Sequence, residues 1–346
     1  MIASRNTRLL AIAATAAAAL ALAGCAGGGN GDDDETSAGE ENPQIELTLA
    51  NSYTDEHAHS RCGALVIAEE LNGMDIGLNV EVFTNSQLGA DADRFASLIA
   101  GDLDMDMQGV SAMSASYEPI GVLGSAFAFS DADHLFRYFD GEESQPLKDA
   151  VLEEIGVRIL DPYYFGYRTF SANAPIRSPE DLEGLRIRFP DTPIHLANAE
   201  ALGATAVPIA FEELFIALQQ GTADGQENPI PTIKSLSLDE VQSHVSLDNH
   251  LTDFQLVIIN EEKWQEMSAE QQEAVTEVVH EVRAEDRQCI EDDTEAIIDE
   301  WEETGAVEVV DDVDREAFEE RAVEYFSEYF SGDDLELFEA IRATAD

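Results

Sequence analysis

Gly221-Thr222-Ala223-Asp224-Gly225-Gln226-Glu227-Asn228-Pro229 and, upstream of it, Gly184-Leu185-Arg186-Ile187-Arg188-Phe189-Pro190 are the most informative segments of the chain. Each sets strong polar groups in a short stretch bounded by Gly or Pro, with apolar runs on either side. Polar side chains at such strand ends converge on small ligands. Arg188 offers a rigid fork of donors matched to a carboxylate, and Asn228 an amide that both donates and accepts. The residues alone leave two roles open for Arg188, a ligand's carboxylate or a structural Asp or Glu.

Around these segments the pattern alternates between periods of two and of 3.6. Ile45–Ala50 and Leu78–Phe83 read as strands, 59–72 and Asp91–Ala100 as helices, and 103–108 as an apolar strand. The rhythm returns with strands at 157–160, 168–172, Arg186–Phe189 and 254–260, and helices at Pro193–Leu202 and 211–219. Strands alternating with helices of this length predict βαβ units and a mainly parallel sheet. From Ser268 the pattern changes: Ser268 with Gln271 forms a capping box, and Val275, Val278, Val279, Val282, Ile290, Ile297 and Trp301 recur at helical spacing. No Pro or Gly interrupts until Gly305. At about 1.5 Å per residue the helix is about 50 Å long, more than one small domain is wide. The organisation expected is two α/β lobes, 44–165 plus 254–293 and 166–253 plus 294–346, with a ligand cleft between them and the long helix spanning both.

The formal charge of -54, from 18 basic and 72 acidic residues, argues against nucleic acid and anionic lipid as partners, since both reward Lys and Arg. The acids are spread along the chain, as on a surface adapted to high salt, where screening relieves self-repulsion. No Asp-x-Asp-x-Asp-Gly calcium loop occurs. At the start, Arg5 and Arg8 precede an apolar run to Leu22 and then Ala23-Gly24-Cys25, the layout of a secretory signal over residues 1–24. Leu-Ala-Gly-Cys resembles a bacterial lipobox, which implies lipid on Cys25 and a protein anchored to the outer face of the cytoplasmic membrane. Residues 25–43, Gly-rich and acidic, read as a tether. Cys62 and Cys289 are compatible with a disulfide in an exported protein, and their separation in space is not readable from sequence.

Catalytic motifs are missing. There is no Gly-x-Ser-x-Gly elbow and no phosphate loop, and His280-Glu281 lacks the second His of a zincin helix. His57 and His59 read as solvated or capping residues rather than half a metal site. Neither a metal nor a cofactor is expected, nor an enzyme.

The two segments at 184–190 and 221–229, together with Asn85-Ser-Gln-Leu-Gly89, Gly166-Tyr-Arg168, Ser178-Pro-Glu-Asp-Leu182, Pro208-Ile-Ala-Phe-Glu-Glu213 and Glu240-Val-Gln242, resemble the solute receptors of TRAP transporters, in their C4-dicarboxylate-type (DctP) family. The resemblance implies an α/β, two-lobed periplasmic-binding-protein-like fold. It also implies a receptor that closes on one small carboxylate and delivers it to a permease driven by an ion gradient. It implies that Arg188 holds the carboxylate beside Asn228, and that Arg168 adds charge and hydrogen bonds. Asn51 and Phe211 match contact positions on the two sides of the cleft. Asp191 and Gln108 match positions that vary with the solute. Two departures, Ala126 where the family has Pro and Ala96 where it often has an acid, weaken any inference about the solute. A dicarboxylate, a 2-oxo or hydroxy acid, a sugar acid and an ectoine-like zwitterion all remain open, as does service to a sensor or another transporter type.

Overall fold

The computed structural model describes residues 42–345, so the expected signal segment, Cys25 and nearly all of the tether lie outside the described residues. Among the described residues nine strands occur in chain order: β1 (Ile45–Ala50), β2 (Leu78–Phe83), β3 (Met105–Gly109), β4 (Val157–Ala172), β5 (Arg186–Phe189), β6 (Thr205–Pro208), β7 (Gly225–Pro229), β8 (His244–Asn260) and β9 (Glu308–Val310). They form one sheet in the order β2-β1-β3-β8-β4-β7-β5-β6, with β9 on β8.

The sheet is mixed, which corrects the mainly parallel expectation. Parallel wings, β2-β1-β3 on one side and β7-β5-β6 on the other, are joined through the antiparallel pairings β3–β8, β8–β4 and β4–β7. The segments read separately at 157–160 and 168–172 are the two ends of β4, and 254–260 is only the last part of β8. Bulges hid their length. The β4–β8 register shifts between Ile159 and Asp161, between Tyr164 and Gly166, and between Arg168 and Phe170. Each bulge breaks the period-two alternation, and Pro162 occurs where a continuous central strand would not tolerate it. Gly166, at φ 107°, takes the backbone through one of these shifts.

The long helix Ala269–Thr304 starts at the Ser268–Gln271 capping box, with both reciprocal bonds made, and stops at Gly305 in the left-handed conformation. Val275, Val278, Val279 and Val282 pack into the core beneath β1–β3. Ile297, Ile298 and Trp301 pack into a separate core with Ile230 and Ile233, just after β7, and with Val245 and Leu247 at the start of β8. One helix therefore anchors both halves of the sheet. The fully buried Trp301 also donates its indole N–H to Asp239 at 3.1 Å, so its polar edge is satisfied. Between the two cores, Cys289 on this helix is disulfide-bonded to Cys62, with a Cα–Cα distance of 6.6 Å. No helix among the described residues is long and apolar enough to cross a membrane.

Candidate functional site

β5 is exposed at its start and buried from its second residue on. Arg186, at the exposed end, forms a bidentate pair with Asp224 at 2.7 and 2.9 Å, while Arg188, two residues further along the same face, is 1% exposed. β5 runs parallel to both neighbours, so Arg188 is in register with Gln226 of β7 and Val207 of β6. Its Nε donates to the carbonyl oxygen of Ile209 at 2.9 Å, and its Nη1 has no partner. No carboxylate is paired with it among the described residues. Burial pulls its pKa down from 12.5 to about 10, and Arg168 adds to that, while Glu227, Glu212 and Asp91 pull the other way. At neutral pH it is a buried cation without a counter-ion.

Arg168 is its opposite. From β4 it donates Nε to Glu227, Nη2 to Glu227 Oε1 at 2.8 Å and Nη1 to Asp253 Oδ2 at 2.6 Å. Burial opposes its charge, but Glu227 and Asp253 outweigh burial and raise its pKa. Glu227 is in turn held well below the usual carboxylate range: burial opposes its ionisation, and Arg168 then His250 overcome that. His250 bonds Asp248 at 2.5 Å and Glu227 at 3.4 Å. The network is closed on itself, so the fork that the resemblance gave to the solute is already occupied.

A cavity of about 230 Å³ opens on these groups. Arg188, Arg168, Asn228, Phe211 and Asp191 line it. Phe211, half-buried at the start of a 3-10 turn, faces Tyr53 edge-on at 6.5 Å and supplies apolar wall. Asn51 and Gln108 are not among the residues that line it. Asn51 accepts from Tyr53 N at 2.9 Å and from Ser60 Oγ at 3.3 Å, and so holds the loop that carries Tyr53. Gln108 donates to the Asp91 carbonyl and to Asp106, both at 3.0 Å, and so holds the turn that carries Asp91. Both residues sit one step behind the wall they were expected to form.

The sequence reading missed Tyr53, Asp91, Phe165, His195, Asp253 and Gln255, all of which line the cavity. The polar run His250, Thr252, Asp253 and Gln255 inside β8 was the available signal, masked by the bulge that sets Asp253 against Gly166. His195 is drawn down to about 3, by burial first and Arg168 next, so it is a neutral imidazole at the wall.

His57 and His59 are 3% and 0% exposed, which overturns the solvated reading. His57 stacks on Tyr53 at 4.6 Å and His59 Nδ1 meets Asp286 at 2.9 Å, so both support the Tyr53 wall. Among the described residues, Asp140, Asp161 and His280 have metal-ligand spacing. The Arg283 guanidinium already bridges the two carboxylates, at 2.9 and 2.8 Å, and supplies the positive charge a metal would bring. Ala126 has its own local reason: its N–H donates to Asn198 Oδ1 at 2.8 Å, a bond Pro cannot make.

Residues 61–333, which contain most of this site, match the family described as DctP, bacterial extracellular solute-binding protein, family 7. The chain belongs to this family. DctP-family relatives include the sialic acid-binding periplasmic protein SiaP of Vibrio cholerae, 33% identical over 220 residues, covering 63% of this chain and 68% of that protein. They also include the 2,3-diketo-L-gulonate-binding periplasmic protein YiaO of Escherichia coli, 34% identical over 242 residues, covering 70% and 73%. A crystal structure of a TRAP solute-binding protein from Roseobacter denitrificans with bound L-galactonate superposes with a TM-score of 0.79 at 28% identity, covering 86% of this chain and 99% of that one. DctP-family proteins are extracytoplasmic solute receptors and not enzymes, in keeping with a sequence that carries no catalytic motif.

Proposed function

We propose that this chain is the solute receptor of a TRAP transporter, gripping a small carboxylate in the cavity through Arg188 and passing it to an ion-gradient-driven permease. The observation that carries this reading is the buried guanidinium with an unpartnered Nη1 at the cavity wall. A buried cation without a counter-ion is costly, and a fold keeps one where a ligand completes it. Asn228 stands beside it in the wall, 2% exposed, with its amide donating to Gln226 at 2.5 Å. The relatives support the chemistry, since those named bind sialic acid, diketogulonate or galactonate, each an acid.

In this reading Arg168 does not grip the solute. It fixes the geometry of β4 against β7 and β8 and sets the local potential. The two lobes, 44–165 plus 254–293 and 166–253 plus 294–346, meet where β4 and β8 cross the sheet, and the β4–β8 bulge between Tyr164 and Gly166 lies at that junction. Lipid on Cys25 tethers the receptor at the membrane, and the acidic surface suits it to high salt. Titration calorimetry with small carboxylates tests the reading. Binding that disappears in Arg188→Ala while the fold persists supports it, and unchanged affinity in that variant rejects it.

A further inference from the structure

The glutamine amides near the cavity are not alike. Gln108 donates to Asp106 and to the Asp91 carbonyl and accepts the Gly109 N–H at 3.1 Å, and Gln226 donates to Ser171 Oγ at 2.8 Å. Gln255 is different. It lines the cavity from β8 and is 6% exposed, yet its amide has no hydrogen-bond partner among the described residues. Ser111 lines the same cavity. Its carbonyl oxygen accepts from Ser114 Oγ at 2.8 Å, while its hydroxyl has no partner among the described residues.

Gly109 keeps these two groups uncovered. It is directly opposite Gln255 in the antiparallel β3–β8 ladder, so the two residues share a face of the sheet. Its φ of -73° and ψ of 146° suit any residue, so the backbone does not call for glycine here. What the missing side chain leaves is room. A methyl group on Gly109 would lie 3.4 Å from Gln255 Oε1, 3.5 Å from its Nε2 and 3.7 Å from Ser111 Oγ. Amide and hydroxyl therefore converge on one small space in the cavity wall.

We infer that Gln255, with Ser111, is a specificity-determining residue that takes a hydroxyl of the solute, so that the solute is a monocarboxylate bearing a hydroxyl on the chain away from its acid group. The inference rests on the carboxylate-receptor reading and narrows it. A hydroxyl donates and accepts at once, so it answers the amide whichever way the amide is turned. A methyl group in its place leaves the amide and Ser111 unpaired once the cleft sheds its water. A second carboxylate there adds a charge with no cation to meet it. Of the two arginines that line the cavity, Arg168 is held by Glu227 and Asp253, and Arg188 takes the first carboxylate.

Calorimetric titration of the purified protein at fixed high salt tests it, with butyrate, 4-hydroxybutyrate and succinate as one set and hexanoate, 6-hydroxyhexanoate, D-gluconate and adipate as another. The expected result is that at least one hydroxy acid binds about tenfold tighter than the methyl-ended acid and the dicarboxylate of its set. Gln255→Leu and Gly109→Ala, each checked by circular dichroism and melting temperature, bring that ratio down to about one. The first removes the amide, and the second fills the space with no contact shorter than 3.4 Å, so the fold is kept. A merely structural role would weaken every acid alike and leave the ratio where it was. Hydroxy acids that bind no tighter than their counterparts, or not measurably, overturn the inference, as does a preference that survives both variants. If acids bind without that preference and Arg188→Ala abolishes them, the receptor reading stands and only the hydroxyl subsite falls. If Arg188→Ala changes nothing, both fall.

Discussion

Replacing Arg188 with Met removes the charge, keeps most of the volume, and separates a ligand anchor from a structural ion pair. The fall in its pKa from 12.5 to about 10 corresponds to about 3 kcal/mol of disfavoured native cation. A base whose folded pKa is depressed weakens the fold at every pH below the folded value, and the penalty is relieved as pH rises through about 10. At pH 7 the penalty is therefore fully present in wild type and absent in the variant. Against this, the variant loses the bond to the Ile209 carbonyl, worth about 1–2 kcal/mol. The solute-free Arg188→Met protein is expected to be about 1–2 kcal/mol more stable, raising its melting temperature by about 2–4 °C. Binding moves the other way. Two charge-assisted bonds of about 1.5–3 kcal/mol each make about 3–6 kcal/mol, a loss of about a hundredfold to ten-thousandfold in affinity. Denaturant titration of the solute-free forms and calorimetry with the best carboxylate read the two effects separately. Destabilisation by more than about 3 kcal/mol, the signature of breaking a buried pair, would refute the reasoning.

Further expectations concern the fold. Burial works against the His250 imidazolium, but Asp248 and Glu227 overcome it and raise the pKa to about 9, so its stabilisation is full below pH 6.5 and lost as pH rises through 9. Denaturant stability should fall across that interval, and His250→Asn should flatten the decline; an unchanged slope would remove His250 from the account. Cys62 and Cys289 are 227 residues apart, and opening so long a loop costs about 5 kcal/mol in the chain-entropy view. The double Ser variant should therefore melt lower yet bind the same solute, and equal melting temperatures would contradict this. With a formal charge of -54, the melting temperature should climb with NaCl well beyond the roughly 0.15 M at which isolated surface pairs are already screened, and a flat profile would count against a salt-adapted surface.

Arg188 was legible because Gly184 and Pro190 frame a four-residue strand, and of its two arginines the one nearer the strand's carboxyl end stands where ligands are met in an open α/β sheet. The long helix was legible for similar reasons, since its cap, its periodicity and its Gly305 stop all lie close together in sequence. The occupation of Arg168 was not legible, because Glu227 reaches it across the β4–β7 ladder from 59 residues away. Tyr53 and Asp91 were missed because Asn51 and Gln108, one step behind, carry the more conspicuous polar groups. Local patterning shows which side chains leave a strand face, whereas pairing across a sheet with bulges decides whether their charges are already spent.

The most direct test is a crystal structure with the tightest-binding carboxylate in the cavity. The account predicts both carboxylate oxygens on the Arg188 guanidinium, with Nη1 now bonded, Asn228 at contact distance, and Arg168 still held by Glu227 and Asp253. A solute whose anionic group lies on Arg168, or leaves Arg188 Nη1 without a partner, would contradict it.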